Sequence, residues 1–259
     1  MQFQKYIDGL TVILERIKEE QRSNIERAGM LAADALGAGG IIHAFGTGHS
    51  HLIADEAFFR AGGIAAVNPI LHERLIFLKG ALESTRTEQQ DGFARELILL
   101  EDVRPEDVAV IISNSGRNSA PIEMALEMKA RGVKVIAITN LAQSQSAPTR
   151  HHSGKRLFEL ADVAIDNCVP QGDAVLELRG LSSRIGPSST VAGAAVMNSI
   201  VIEAVAELLR RGEQVPILPS ANIEGVTEET LNEVLRHYRT RIRYLDVDDQ
   251  SEAAPGKAK

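Results

Sequence analysis

The sequence predicts an α/β protein in which helices cover both faces of a five-stranded parallel sheet. Two observations carry this. Five short runs are apolar throughout instead of alternating, as strands buried on both faces are. Segments of helical periodicity separate them, the order that builds strand–helix–strand units. The elements follow in chain order. Residues 2–36 place Phe3, Ile7, Leu10, Ile17, Ile25 and Leu31 near helical spacing, with a break expected near 21–24. The cluster Gly37-Ala38-Gly39-Gly40 ends this helical stretch. The strand runs fall at 41–45, 64–67, 108–112, 133–139 and 163–165. Helices are expected at 49–61, 119–131, 189–211 and 227–240, the last with Thr227 as N-cap and Glu228 and Glu229 in its first turn. This divides the chain into a helical arm (1–36), the α/β domain (37–212), a C-terminal helical extension (213–245) and a polar, disordered tail (246–259).

Composition narrows the function. The 259 residues suffice for one α/β domain with extensions. Net charge is −7, from 28 Lys and Arg against 35 Asp and Glu, which argues against a general nucleic-acid binder. Cys168 is the sole cysteine, so neither a disulfide framework nor a CxxC metal site can form within the chain. The apolar runs are broken by Gly, Asn or Glu well short of the ~18 residues that suggest a membrane span, and no signal peptide is evident; a cytoplasmic protein with no membrane partner is expected. Trp is absent and aromatics are 4%, so a sugar would be held by hydrogen bonds and charge, not by stacking.

Two polar loops follow expected strands, where open α/β sheets bind ligands. In Phe45-Gly46-Thr47-Gly48-His49-Ser50 the glycines let backbone approach a ligand, and a helix begins directly after. His51 stands where a dinucleotide fingerprint would have its third Gly. Ser113-Asn114-Ser115-Gly116-Arg117-Asn118-Ser119 is rich in hydroxyl and amide donors and opens a helix, with Pro121 early in it. It has no P-loop Lys, which disfavours a triphosphate.

This pair of loops, about 65 residues apart, together with Ala137-Ile138-Thr139-Asn140 and Pro187-Ser188-Ser189-Thr190, resembles the sugar isomerase (SIS) domain over residues 35–212. The resemblance implies a five-stranded α/β/α sandwich that binds phosphosugars. It places the sugar phosphate on Ser113, Asn114, Ser115, Asn118 and Ser119, with further contacts from Gly48, His49 and Ser50. It also implies a homodimer or higher oligomer with sites at the subunit interface, and no cofactor. With no helix-turn-helix ahead of residue 35, the chain does not resemble the repressors of that family. Arg60 stands where phosphoheptose isomerases carry a carboxylate, a departure from that branch.

Other stretches are similar to the N-acetylmuramic acid 6-phosphate etherase branch: Gly80-Ala81-Leu82-Glu83-Ser84, Ser115-Gly116-Arg117, and Ser182-Ser183-Arg184, which adds Ser183 and Arg184 to the binding set. Asn68-Pro69-Ile70-Leu71-His72-Glu73-Arg74-Leu75 resembles uncharacterised sugar-isomerase-domain proteins. The chemistry then expected begins with removal of the C2 proton from a ring-opened 2-acetamido sugar 6-phosphate. Glu73 and Glu83 are the candidate bases, and His72 would open the ring or shuttle protons. Loss of the C3 hydroxyl makes the protein a lyase that dehydrates N-acetylglucosamine 6-phosphate. An aldose–ketose isomerase and a non-catalytic phosphosugar sensor are the alternatives. The twenty-residue loop after Asn140 carries Arg150-His151-His152-Ser153 and has the length of a binding loop. Adjacent histidines point apart on extended chain, so no metal site is expected there.

Overall fold

The structure, a computed structural model, describes residues 1–245; the expected tail at 246–259 lies outside the described residues. Five parallel strands form the sheet: β1 (Ile42–Gly46), β2 (Val67–Ile70), β3 (Val108–Ile112), β4 (Lys134–Thr139) and β5 (Val163–Asp166), in the order β2-β1-β3-β4-β5. Alternate side chains of each strand serve opposite cores. Val108, Val110 and Ile112 face one core, while Ala109 and Ile111 face the other. The chain runs outward from β1 to β2 and then returns to place β3 on the other side of β1. The crevice beside the C-terminal ends of β1 and β3 is therefore the topological switch point, where such sheets bind ligands.

The second strand lies later than the apolar run 64–67. Its pairing runs from Val67 to Ile70, and Ile64 instead bridges Ile217. Pro69 is tolerated because β2 is an edge strand.

The first core is covered by α1 (Gln2–Glu20), α2 (Arg22–Gly37), α3 (His51–Ala57) and a long helix, Ser189–Arg210. The break between α1 and α2 falls at Gln21, as the sequence predicts. These helices are more than an arm, since Ile13, Ile17, Ile25, Ala28 and Ala32 lie in the same core as the sheet. Four short helices were not expected as such: α4 (Ala81–Glu88), α5 (Phe93–Ile98), and, after α6 (Ser119–Ala130), α7 (Leu141–Gln145) and α8 (Leu157–Leu160). α5, α6 and α8 line the second core.

The long helix, α9 (Ser189–Arg210), has the length and mean hydropathy (1.6) of a membrane span, contrary to the sequence reading; its Ala192, Val196, Met197 and Ile200 face is packed in the first core. Before it, β6 (Ala174–Leu176) and β7 (Ile185–Pro187) form an antiparallel hairpin against α1, where the Tyr6 hydroxyl donates to the Pro187 carbonyl at 2.7 Å. The last helix, α10 (Glu228–Leu235), starts at the expected cap: Thr227 Oγ1 accepts from the Thr230 N–H.

Candidate functional site

The two polar loops lie side by side at the switch point, one after β1 and one after β3. Gly46 allows the first to turn sharply, because a Cβ there would sit 2.4 Å from the Ser50 carbonyl oxygen. Gly116 turns the second at φ +57°, and its Cβ would meet Ser144 Oγ at 2.8 Å and Thr139 Oγ1 at 2.9 Å. Only glycine suits both the angle and the space. α6 begins at Asn118 without a side-chain cap, so its first N–H groups face the loop.

One carboxylate joins the loops. Glu88, the last residue of α4, accepts from Thr47 Oγ1 of the first loop at 2.9 Å and from Asn118 Nδ2 of the second. It is half-buried. Sequence reasoning missed it and looked one turn earlier in the same segment, at Glu83. The signal that could have found it is topological. The crossover from β2 to β3 has to pass the switch point, and Glu88 and Asp91 sit midway along it.

Asp91 extends the cluster. Ser119 Oγ donates to its Oδ1 at 2.5 Å, and His152 Nδ1 lies 3.1 Å from its Oδ2. These hydrogen bonds from Ser119 and His152 hold the Asp91 carboxyl below its ordinary range. The loop after Asn140 folds back onto the second polar loop: Arg150 N–H donates to the Arg117 carbonyl at 2.8 Å, and its guanidinium to Asn118 Oδ1 at 2.9 Å. His151 is buried here. Burial, and then the neighbouring His152, lower its pKa. Its Nε2 lies 3.7 Å from Glu123 Oε1, and that carboxylate accepts from the N–H groups of Gly92 (2.5 Å) and Ala94 (3.3 Å). The expectation that His151 and His152 point apart fails. The chain turns over 151–154, with Gly154 N–H donating to the His151 carbonyl, and the rings lie 4.0 Å apart.

The residues expected from the sequence are distributed as follows. Ser50 and Asn114 line one narrow cleft with Asn167, Ser189 and Thr190. Asn167 Nδ2 donates to Asn114 Oδ1 at 2.8 Å. Ser113 Oγ accepts from the Gly116 N–H at 3.1 Å and so shapes the loop. Ser115 forms no side-chain hydrogen bond among the described residues, which leaves its hydroxyl available. Gly48 N–H donates to the Leu75 carbonyl at 2.9 Å, and exposed His49 stacks on Phe77 at 4.7 Å. His72 packs edge-on against Phe93 at 4.9 Å, and burial lowers its pKa.

Glu73 and Glu83 share an open groove with Arg74, Lys79 and Arg86. Glu73 pairs with Lys79 at 3.2 Å and Glu83 with Arg74 at 2.9 Å; among the described residues neither bonds to either polar loop. Ser183 and Arg184 are exposed at the tip of the β6–β7 hairpin, where Arg184 pairs with Glu177 at 2.6 Å. At the α9 N-terminus, Asp173 Oδ1 accepts from the N–H groups of Ser188 (3.0 Å) and Ser189 (2.6 Å).

The sequence profile of the SIS domain matches residues 5–140. A UPF0309 protein of Geobacillus thermodenitrificans strain NG80-2 is 42% identical over 243 residues, 94% of this chain and 96% of that protein. Another, of Geobacillus sp. strain WCH70, is 39% identical over 242 residues, 93% of this chain and 98% of that protein. Among solved structures, phosphoheptose isomerase GmhA from Neisseria gonorrhoeae superposes with a TM-score of 0.51 at 17% identity, covering 79% of this chain and 97% of that one. That likeness is one of fold.

Proposed function

The chain belongs to the SIS-domain family, and from that premise we propose that it is a phosphosugar enzyme in which Glu88 removes a proton beside the sugar carbonyl. The observation that carries this reading is the position of Glu88, bonded to both polar loops at the switch point. The sugar phosphate is held by the hydroxyls of Ser50 and Ser115, the Asn114 amide and the first N–H groups of α6, with no surplus of Lys or Arg needed. Thr47 and Asn118 fix the Glu88 carboxylate where a substrate lying across both loops would present its C2. Glu88 thereby takes the role that the sequence assigned to Glu73 or Glu83.

The substrate we infer is N-acetylglucosamine 6-phosphate or a related N-acyl amino sugar 6-phosphate. In its open-chain aldehyde, Glu88 takes the C2 proton. The resulting enolate breaks the C3–O bond, and the departing hydroxyl leaves as water with the proton returned by Glu88. The product is the α,β-unsaturated aldehyde. We further propose a homodimer as the working form; the exposed Phe3, Ile7 and Leu14, on one face of α1, support an apolar contact between copies.

The test is incubation with N-acetylglucosamine 6-phosphate in D2O, followed by mass spectrometry. Loss of one water is expected. Deuterium at C2 without mass loss assigns an isomerase or epimerase instead. A raised Tm without any turnover assigns a sensor.

A further inference from the structure

We propose that Asp91, His151 and His152 form a binding site for a divalent first-row transition-metal ion, with zinc as the ion of closest fit. One ligand atom from each of the three lies within 4.8 Å of the other two. Ligands around tetrahedral zinc, at ~2.0–2.2 Å from the metal, stand roughly 3.4 Å apart. Closing that gap requires a shift of about an ångström, and His152 and Asp91 are both exposed and free to make it.

The second observation is independent of this clustering. His151 is 4% exposed, and its Nε2 has no hydrogen-bond partner among the described residues. Buried polar atoms are rarely left so, because each has given up its hydrogen bond to water without gaining another. Neither neutral tautomer resolves it. With the proton on Nε2, the nearest acceptor, Glu123 Oε1, is 3.7 Å away, beyond hydrogen-bond reach. With the proton on Nδ1, that N–H donates to Ser153 Oγ at 2.8 Å, but the Ser153 backbone N–H, 3.3 Å from Nδ1, loses its acceptor and a bare Nε2 lone pair faces the Glu123 carboxylate. A cation between them satisfies the lone pair and balances the acids. In that second tautomer Ser153 supplies the outer hydrogen bond that metal-bound histidines usually make.

Two imidazoles and one carboxylate suit zinc, iron(II) or cobalt(II) better than magnesium or calcium, which prefer oxygen. Three protein ligands leave a fourth position open, as in catalytic zinc sites. Ser119 of the phosphate loop donates to the ligand Asp91, so the open position adjoins the sugar-phosphate site proposed above. The metal assignment nevertheless stands or falls without the sugar-phosphate reading.

The experiment uses the full chain, stripped with a chelator and titrated with zinc alone. Binding is followed by competition with a chromophoric chelator and by native mass spectrometry. One zinc per chain is expected, with a rise in Tm that saturates at one equivalent. Asp91→Asn and His152→Ala alter exposed side chains and should fold as the wild type does. Each should weaken binding by more than the ~10–100-fold that loss of an outer-sphere partner costs. His237→Ala, at an exposed histidine outside the cluster, should bind as the wild type does. Cobalt(II) should give visible bands of a four-coordinate site, lost in His152→Ala. The assignment is overturned if no ion binds stoichiometrically, or if His152→Ala and Asp91→Asn bind zinc as tightly as the wild type.

Discussion

The sheet carries acidic clusters at both of its edges, and they are built from different partners. At the N-terminal edge, Asp107 is fully buried. Its Oδ1 accepts from the Ile41 N–H at 2.9 Å, and its Oδ2 accepts from the Arg104 N–H at 2.7 Å, from His43 Nε2 at 3.1 Å and from the Arg241 guanidinium at 2.8 Å. His43 Nδ1 in turn accepts from Asn68 Nδ2 at 3.0 Å, so both ring nitrogens of this buried histidine are paired. At the C-terminal edge, Glu88 accepts from a hydroxyl and an amide and Asp91 from a hydroxyl beside the His152 imidazole, with no Lys or Arg bonded to either among the described residues. Burial alone would raise the Asp107 pKa, but its hydrogen bonds from His43, Arg241 and backbone bring it down to about 2. A carboxylate locked in this way is a strut. One held without a Lys or Arg keeps a charge that no paired side-chain cation offsets.

Substitution should separate the two edges. The largest effect is expected at Glu88→Gln, which keeps the contacts to Thr47 and Asn118 but removes the proposed base. Turnover should fall ~10²–10⁴-fold, roughly 3–5 kcal/mol of barrier, with stability within about 1 kcal/mol of wild type. Steady-state kinetics beside urea unfolding checks both, and undiminished turnover would sink the assignment of the base. Asp107→Ala should do the reverse. It leaves buried Arg241 only its 3.3 Å pairing with Asp102, unpairs the Ile41 and Arg104 N–H groups, and should cost about 3–5 kcal/mol of stability, read as a lower urea midpoint, while the polar loops keep their sequence and phosphosugar binding survives in the folded fraction.

The acid limb of the stability curve is a smaller effect. Asp107 titrates near 2 when folded and near ~3.9 when unfolded, so its contribution is complete above the unfolded value and lost as pH falls from about 4 to about 2. It amounts to roughly 2–3 kcal/mol. Thermal melts across that window should fall more steeply for the wild type than for Asp107→Asn. The smallest effect is expected at Glu83→Gln, which breaks a half-exposed pair with Arg74 and should change stability by less than about 1 kcal/mol and turnover less than twofold. A hundredfold loss of turnover there would return the base to Glu83.

The fold could be read from the sequence because each strand run is apolar on both faces and each break carries Gly or polar residues. The runs at 108–112 and 163–165 fall on β3 and β5 almost residue for residue. The run at 64–67 misled, because its hydrophobicity serves burial against Ile217 and the pairing begins only at Val67. The β6–β7 hairpin was not read, since its strands are three residues each and half-exposed. Arg241 is buried against Asp107, 134 residues earlier in the chain, a pairing that no local pattern encodes.

By itself, then, the sequence determined four of the five strands, the long helices and the two donor-rich loops, because hydrophobic periodicity and glycine placement are local properties. Only the tertiary structure decided which acids meet those loops. Glu83 and Glu88 lie five residues apart on one short helix, and their spacing rotates one toward Arg74 and the other toward Thr47 and Asn118. His151 and His152 meet Asp91 because a turn brings together segments sixty residues apart. Such convergence depends on how crossovers pack over the switch point, and that is set by the whole core rather than by any stretch of chain.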